Sequence, residues 1–222
     1  MRKNVGLLDS LNDCQRKAVI TTEGPLLVLA GAGSGKTRVL VHRIAYLIEE
    51  CGVSAWNILA MTFTNKAAEE MRKRVDAMVG EGADGVWVST FHSMCVRILR
   101  RHIDLIGFDN SFTIYDADDQ KTVVKAIMKK LNIDSKEIKE RTIIGAISSA
   151  KDELVNPEEY EINAKGNSKQ ELIAHVYTEY QNTLLKNNAL DFDDLIVKTI
   201  ELFKACPEVL NNYQERFRYI SV

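Results

Sequence analysis

The sequence predicts an α/β protein: a parallel sheet with helices on both faces, together with an inserted all-helical subdomain. Three observations carry this. The glycine-rich stretch Ala30-Gly31-Ala32-Gly33-Ser34-Gly35-Lys36-Thr37 joins an apolar run to a helical pattern. The order strand, loop, helix recurs three times before residue 110, which predicts parallel pairing with crossover helices. From residue 116 to residue 187 the strand signal nearly vanishes and amphipathic helices succeed one another.

The elements follow in order. Residues 8–19 read as a short helix that Asn12 or Asp13 can cap, with Gln15 on it. Pro25-Leu26-Leu27-Val28-Leu29 reads as a strand entering the glycine loop, and residues 38–48 repeat apolar side chains at helical spacing until Gly52. Residues 58–63 form a second, buried strand. Thr64 and Asn65 then open a helix reaching Val75, a loop carries Gly80, Gly82 and Gly85, and residues 86–90 make a third strand. A helix over 91–105 leaves it, bearing Arg97, Arg100 and Arg101. Within the helical stretch Asp116 caps one helix, another opens at Ser135, Asn156-Pro157 ends a helix, and Ser168-Lys169-Gln170-Glu171 is a capping box. Gly166-Asn167 makes a loop. Asp191-Phe192-Asp193-Asp194-Leu195 caps a further helix that breaks before Pro207, and residues 217–222 are a last strand.

With 222 residues and 45% hydrophobic content, the chain can bury one good core or a main domain with a smaller one attached. A net charge of −2 gives no global signature of nucleic-acid binding, so charge has to be read locally. No apolar run approaches the roughly 20 residues of a membrane span. Met1-Arg2-Lys3-Asn4-Val5 lacks the apolar stretch of a secretion signal, which predicts a cytoplasmic protein. Cys14, Cys51, Cys95 and Cys206 have no paired spacing, and His92 with Cys95 lacks two further ligands, so neither disulfides nor zinc are expected.

The glycine loop is where chemistry enters. Its three glycines let successive backbone N–H groups converge on anionic oxygens without Cβ clashes. Lys36 is placed to reach the β- and γ-phosphates of a nucleoside triphosphate, and Thr37 offers a hydroxyl to magnesium. The helix starting there points its positive dipole end at the same charge. Such a site needs an acid at the end of a neighbouring strand to hold the magnesium. Asp116 follows an apolar run, but Asp118 and Asp119 behind it mark a helix start and favour a cap. The acid is expected beyond Val222.

At the carboxyl ends of the strands, where ligands of such sheets collect, stand Phe63, Thr64 and Asn65, and one strand over Thr90, Phe91 and His92. An aromatic face beside hydrogen-bonding groups suits unpaired bases, each stack being worth roughly 1–3 kcal/mol. Burial at a strand-to-helix turn is an equal alternative for both phenylalanines. Lys121, Lys125 and Lys129 form a one-sided stripe, read first as a solvated face, and Asp191, Asp193 and Asp194 first as a cap cluster.

Five segments in this order resemble the UvrD/Rep/PcrA group of superfamily 1 DNA helicases: residues 11–19, 30–40, 61–68, 89–93 and 190–195. The resemblance covers nearly the whole chain. It implies the first RecA-like domain (residues 1–110 and 188–222) of an ATP-driven motor, interrupted by an inserted helical subdomain (residues 111–187). It implies ATP and Mg2+ as cofactors, with Gln15 at the adenine and Ala30, Gly31, Ala32, Gly33, Ser34, Gly35, Lys36, Thr37 and Arg38 around the phosphates. It favours DNA contact for Phe63, Thr64, Asn65, Thr90, Phe91 and His92. The implied partners are single-stranded DNA and its junctions with duplex, tracked 3′ to 5′. The stretch ending at Val222 is expected to be an inactive, monomeric fragment of that motor, binding nucleotide and DNA weakly. A P-loop kinase or other NTPase with a helical lid, and a helicase-nuclease subunit, stand as alternatives.

Overall fold

The computed structural model describes residues 6–134, 136 and 138–222. The reading of Met1 to Val5 and the helix start assigned to Ser135 lie outside the described residues. In chain order the first elements are α1 (Asp13–Ile20), α2 (Lys36–Glu49), β1 (Ile58–Thr62), α3 (Asn65–Val79), β2 (Trp87–Thr90) and α4 (Phe91–His102). Then come β3 (Thr113–Ile114), α5 (Ala117–Lys130), α6 (Glu140–Asp152), α7 (Pro157–Ala164) and α8 (Ser168–Lys186). The chain closes with β4 (Ala189–Leu190), α9 (Phe192–Ala205), α10 (Pro207–Arg216) and β5 (Tyr219–Ser221). The protein is thus mixed α/β with parallel sheets. Two compact units divide it: Met1–Phe91 with Asn211–Val222, and His92–Leu210.

In the first unit β1 lies between β2 and β5, and both pairings are parallel. Alternate residues of a strand face opposite sides. Ile58 and Ala60 of β1 and Val88 of β2 turn toward Val41, Ile44 and Leu47 of α2 and Met71 and Val75 of α3. Each large aliphatic side chain sealed there contributes about 1.5–3 kcal/mol. On the opposite face Trp87 meets Phe217 edge-on at 5.2 Å and Tyr213 at 6.5 Å. Covered on both faces, β1 reads as an apolar run and β2 is buried along its whole length, Ser89 and Thr90 included, as parallel strands between helix layers are.

Pro25 to Leu29, read above as the strand entering the glycine loop, forms no strand and carries no regular secondary structure. Leu27 and Leu29 are 82% and 88% exposed. A strand needs a neighbour's N–H and C=O groups, and among the described residues none pairs with this segment.

The second unit is chiefly helical. Val124 and Ile127 of α5, Ile143 and Ile147 of α6, and Ile173, Val176, Tyr180 and Leu184 of α8 form its core. Its two short strands, β3 and β4, pair in parallel. This unit reaches further both ways along the chain than residues 111–187, because α9 packs both on α6 and on the turn Ile103–Ile106 that follows α4. Two helix starts differ from the sequence reading. The cap of α8 is Asn167, whose side chain accepts from Gln170 N at 3.2 Å, while Glu171 accepts from Gly166 N; the cap lies one residue before the expected Ser168. Asn156-Pro157 starts α7 and does not end α6, since Asn156 caps Glu159 N and proline suits a first helical position whose N–H has no partner. None of the described helices is long and apolar enough to cross a membrane.

Two glycines separate crowding from freedom. A Cβ on Gly85 would lie 2.8 Å from Trp56 N and 3.1 Å from the Ala55 carbonyl carbon, whereas one on Gly145, inside α6, meets nothing within 4 Å. Gly85→Ala should lower unfolding stability by about 1–3 kcal/mol. Gly145→Ala should raise it by about 0.5–1 kcal/mol. Denaturant melts of the two variants check both signs.

Candidate nucleotide loop and strand-end face

The loop from Ala30 to Thr37 turns through two left-handed glycines, Gly33 at φ 75° and Gly35 at φ 88°. Gly35 is the N-cap of α2 and makes no side-chain cap bond, so the N–H groups of Lys36, Thr37 and Arg38 end the helix without intrahelical acceptors. Partial positive charge gathers there. Lys36 Nζ arches over the loop, donating to Gly31 O at 2.8 Å and Ala30 O at 3.1 Å. Ser34 Oγ donates to the same Gly31 O at 2.7 Å. Among the described residues, an anion competing for Lys36 has these backbone carbonyls to displace. Thr37 is exposed in the first turn of α2.

Gln15 ties this loop to α1. Its N–H donates to Asn12 Oδ1 at 2.9 Å, its Oε1 accepts from Asn12 N, and its Nε2 donates to Ser34 O at 2.9 Å. A Cβ on Gly35 would fall 2.9 Å from that Nε2. Position 35 therefore disfavours side chains by its φ, and a side chain there would also displace the Gln15 amide from its bond to Ser34 O. Arg38 donates to Ser10 O at 2.8 Å, which fastens the segment before α1 to the first turn of α2. Beside the loop opens a cavity of about 650 Å³, lined by Gln15, Ala18, Lys36, Leu40, Leu26 and Ile220 among others. That is the usual size of a small-molecule site.

The parallel register sets Thr62 opposite Thr90, so β1 and β2 end at one level. Phe63 follows β1 and is 89% exposed, which removes it from the core. Thr64 caps α3 by accepting from Ala67 N at 3.1 Å, and Asn65 Oδ1 accepts from Thr90 Oγ1 at 3.3 Å. Thr90 is buried and Phe91 is 36% exposed. The structure thus brings Phe63, Thr64, Asn65, Thr90 and Phe91 together at the strand ends. His92 belongs to the second unit, where its ring meets Phe192 edge-on at 6.0 Å.

Residues 11–222 match the UvrD/REP helicase N-terminal domain family. The chain belongs to that family. Among curated relatives, ATP-dependent DNA helicase PcrA of Bacillus subtilis (strain 168) is 59% identical over 97% of this chain and 29% of its own length. The proteins of the same name from Staphylococcus aureus (strain Mu50) and Staphylococcus epidermidis are each 57% identical over 97% of this chain and 30% of theirs. The chain therefore spans about a third or less of the relatives it matches.

Within this UvrD/REP family domain the remaining candidates sort by their partners. Asp116 is a helix cap, accepting from Asp118 N and Asp119 N. Arg100 lies 3.9 Å over the Phe112 ring and donates to Asn110 O. Lys125 pairs with Glu140 at 3.6 Å, as a solvated helix face would. Asp191 and Asp194 form the capping box of α9 and are also buried against Lys151, at 2.7 and 2.8 Å. Sequence reasoning missed Lys151, although a lysine four residues after Ile147 and eight after Ile143, on the apolar stripe of α6, was a visible signal. It also passed over Phe192, a half-exposed ring inside an acidic cap.

Burial pushes the Asp194 carboxyl above the usual range, Asp191 adding to the shift and Lys151 opposing it. Desolvation likewise raises the Tyr177 and Tyr180 phenols, with Asp194 and Asp191 repelling the phenolate. A raised folded pKa stabilises below the unfolded value and is lost above it. Stability should accordingly fall as pH rises past about 10, the ordinary tyrosine value. Tyr180→Phe should flatten that alkaline fall, as pH-dependent denaturant melts would show.

Proposed function

We propose that this chain is the nucleotide-binding domain of an ATP-driven DNA motor, carrying a helical subdomain over residues 111–187. On this reading the fold of residues 1–110 and 188–222 is RecA-like. ATP binds with its phosphates on the loop from Ala30 to Thr37 and the first turn of α2. Lys36 leaves the neutral carbonyls of Ala30 and Gly31 for the β- and γ-phosphates, where its ammonium meets full negative charge. Gln15 presents an amide at the mouth of the neighbouring cavity, able to donate to and accept from an adenine edge. Arg38 acts from behind, holding the start of α1 to the loop.

Magnesium suits the exposed hydroxyl of Thr37, one residue after Lys36, and supplies neutralisation of phosphate charge when bound with the nucleotide. Single-stranded DNA crosses the strand ends. Phe63 and Phe91 offer rings for stacking, Thr64, Asn65 and Thr90 fix the loops that carry them, and His92 follows Phe91 directly in the chain. Tracking is 3′ to 5′, with junctions of single strand and duplex as the working substrate. The observation that carries the reading is the uncapped start of α2 behind two left-handed glycines, with Lys36 folded over it. The relatives named ATP-dependent DNA helicase support it at 57% to 59% identity.

Lys36→Ala should weaken Mg-ATP binding about ten- to a hundredfold, the loss of a charge-assisted contact. Titration with a fluorescent ATP analogue measures it, and unchanged affinity would remove Lys36 from this role. Phe63→Ala should weaken binding of labelled oligothymidylate by about 1–3 kcal/mol while leaving nucleotide affinity alone. Equal DNA affinity of variant and parent by fluorescence anisotropy would refute the strand-end track.

A further inference from the structure

The second unit holds a buried charge cluster that neither nucleotide nor DNA binding uses directly. Lys151, 2% exposed, faces Asp191 and Asp194 at 2.7 and 2.8 Å. All four carboxylate oxygens are engaged. Asp191 Oδ1 accepts from Asp194 N at 2.8 Å, and its Oδ2 accepts from Lys151 and from Tyr180 OH at 3.0 Å. Asp194 Oδ1 accepts from Lys151 and from Gln181 Nε2 at 3.1 Å, and its Oδ2 from Asp191 N. The cluster ties the first turn of α9 to α6 through Lys151 and to α8 through Tyr180 and Gln181.

Stability alone does not account for such an arrangement, because buried ion pairs are often replaceable by apolar groups without loss. Directional bonds on every oxygen do something packing cannot: they fix the orientation of one helical turn. Phe192 is the residue between the cap Asp191 and Asp193, half exposed, with its ring 6.0 Å from His92 at an interplanar angle of 67°. We propose that Lys151 is a positioning residue, whose ion pairs with Asp191 and Asp194 orient the start of α9 so that Phe192 stands against His92. Its consequence for DNA rests on the reading of His92 as part of the single-strand face.

The test uses the chain with Lys151→Met combined with Asp191→Asn and Asp194→Asn, which leaves no buried charge unpaired and keeps cap acceptors, and Tyr180→Phe as a milder change that removes one donor. Ring protons of His92 report the nearby Phe192 ring by NMR, and Phe192→Ala defines the shift lost without it. With circular dichroism unchanged, the triple variant should move the His92 signals to the Phe192→Ala positions and Tyr180→Phe should move them part of the way. Oligothymidylate affinity should fall about tenfold, with no further fall when Phe192→Ala is added. Wild-type His92 signals in a folded triple variant, or in Tyr180→Phe should the triple variant not fold, would overturn the proposal. If Phe192→Ala shifts His92 but leaves DNA affinity unchanged, the single-strand reading of this pair fails and the positioning stands.

Discussion

The shape of the loop from Ala30 to Thr37 depends on one residue without a side chain, Gly35, held left-handed at the start of α2. Any L-residue there would be strained by its φ of 88° and would press on the Gln15 amide. That single position turns the chain, leaves the helix end uncapped, and makes room for the bond from Gln15 to Ser34 O. Because Gln15 also completes the cap of α1, the loop and the N-terminal helix share one hydrogen-bonded unit. Whatever draws on the loop is felt at α1.

A second constraint is register. Parallel pairing of Thr62 with Thr90 makes two strands stop at the same level, so the residues that follow them form a single edge. The bond between Thr90 and Asn65 fastens the two strand ends together. Phe63, just past the end of β1, is left projecting into solvent at that edge. In the second unit the same economy of parts appears as charge: two aspartates that cap α9 also bind a buried lysine from α6.

Much of this was legible because it is written locally. Glycine spacing before Lys36, the short buried strands β1 and β2, and the caps Thr64, Asp116 and Asp191 are features of a few consecutive residues, and the structure has these strands and caps where they were read. The misreadings were of the opposite kind. Pro25 to Leu29 has the composition of a strand, but strands exist only by pairing, and composition does not name a neighbour. Asn156-Pro157 and Asn167 were misjudged by a residue or by direction because a proline and a cap serve helix starts better than helix ends. Lys151 meets partners 40 and 43 residues away, a distance that no local pattern records. The second bond of Gln15 reaches 19 residues on for the same reason.

The central claim is that the uncapped start of α2 receives phosphate, and backbone amide NMR tests it most directly. On titrating 15N-labelled protein with Mg-ATP, the account predicts saturable shifts concentrated at Gly33, Gly35, Lys36, Thr37 and Arg38, together with the side-chain amide of Gln15. Saturable shifts that spare these amides, or none at all at millimolar nucleotide, would contradict it.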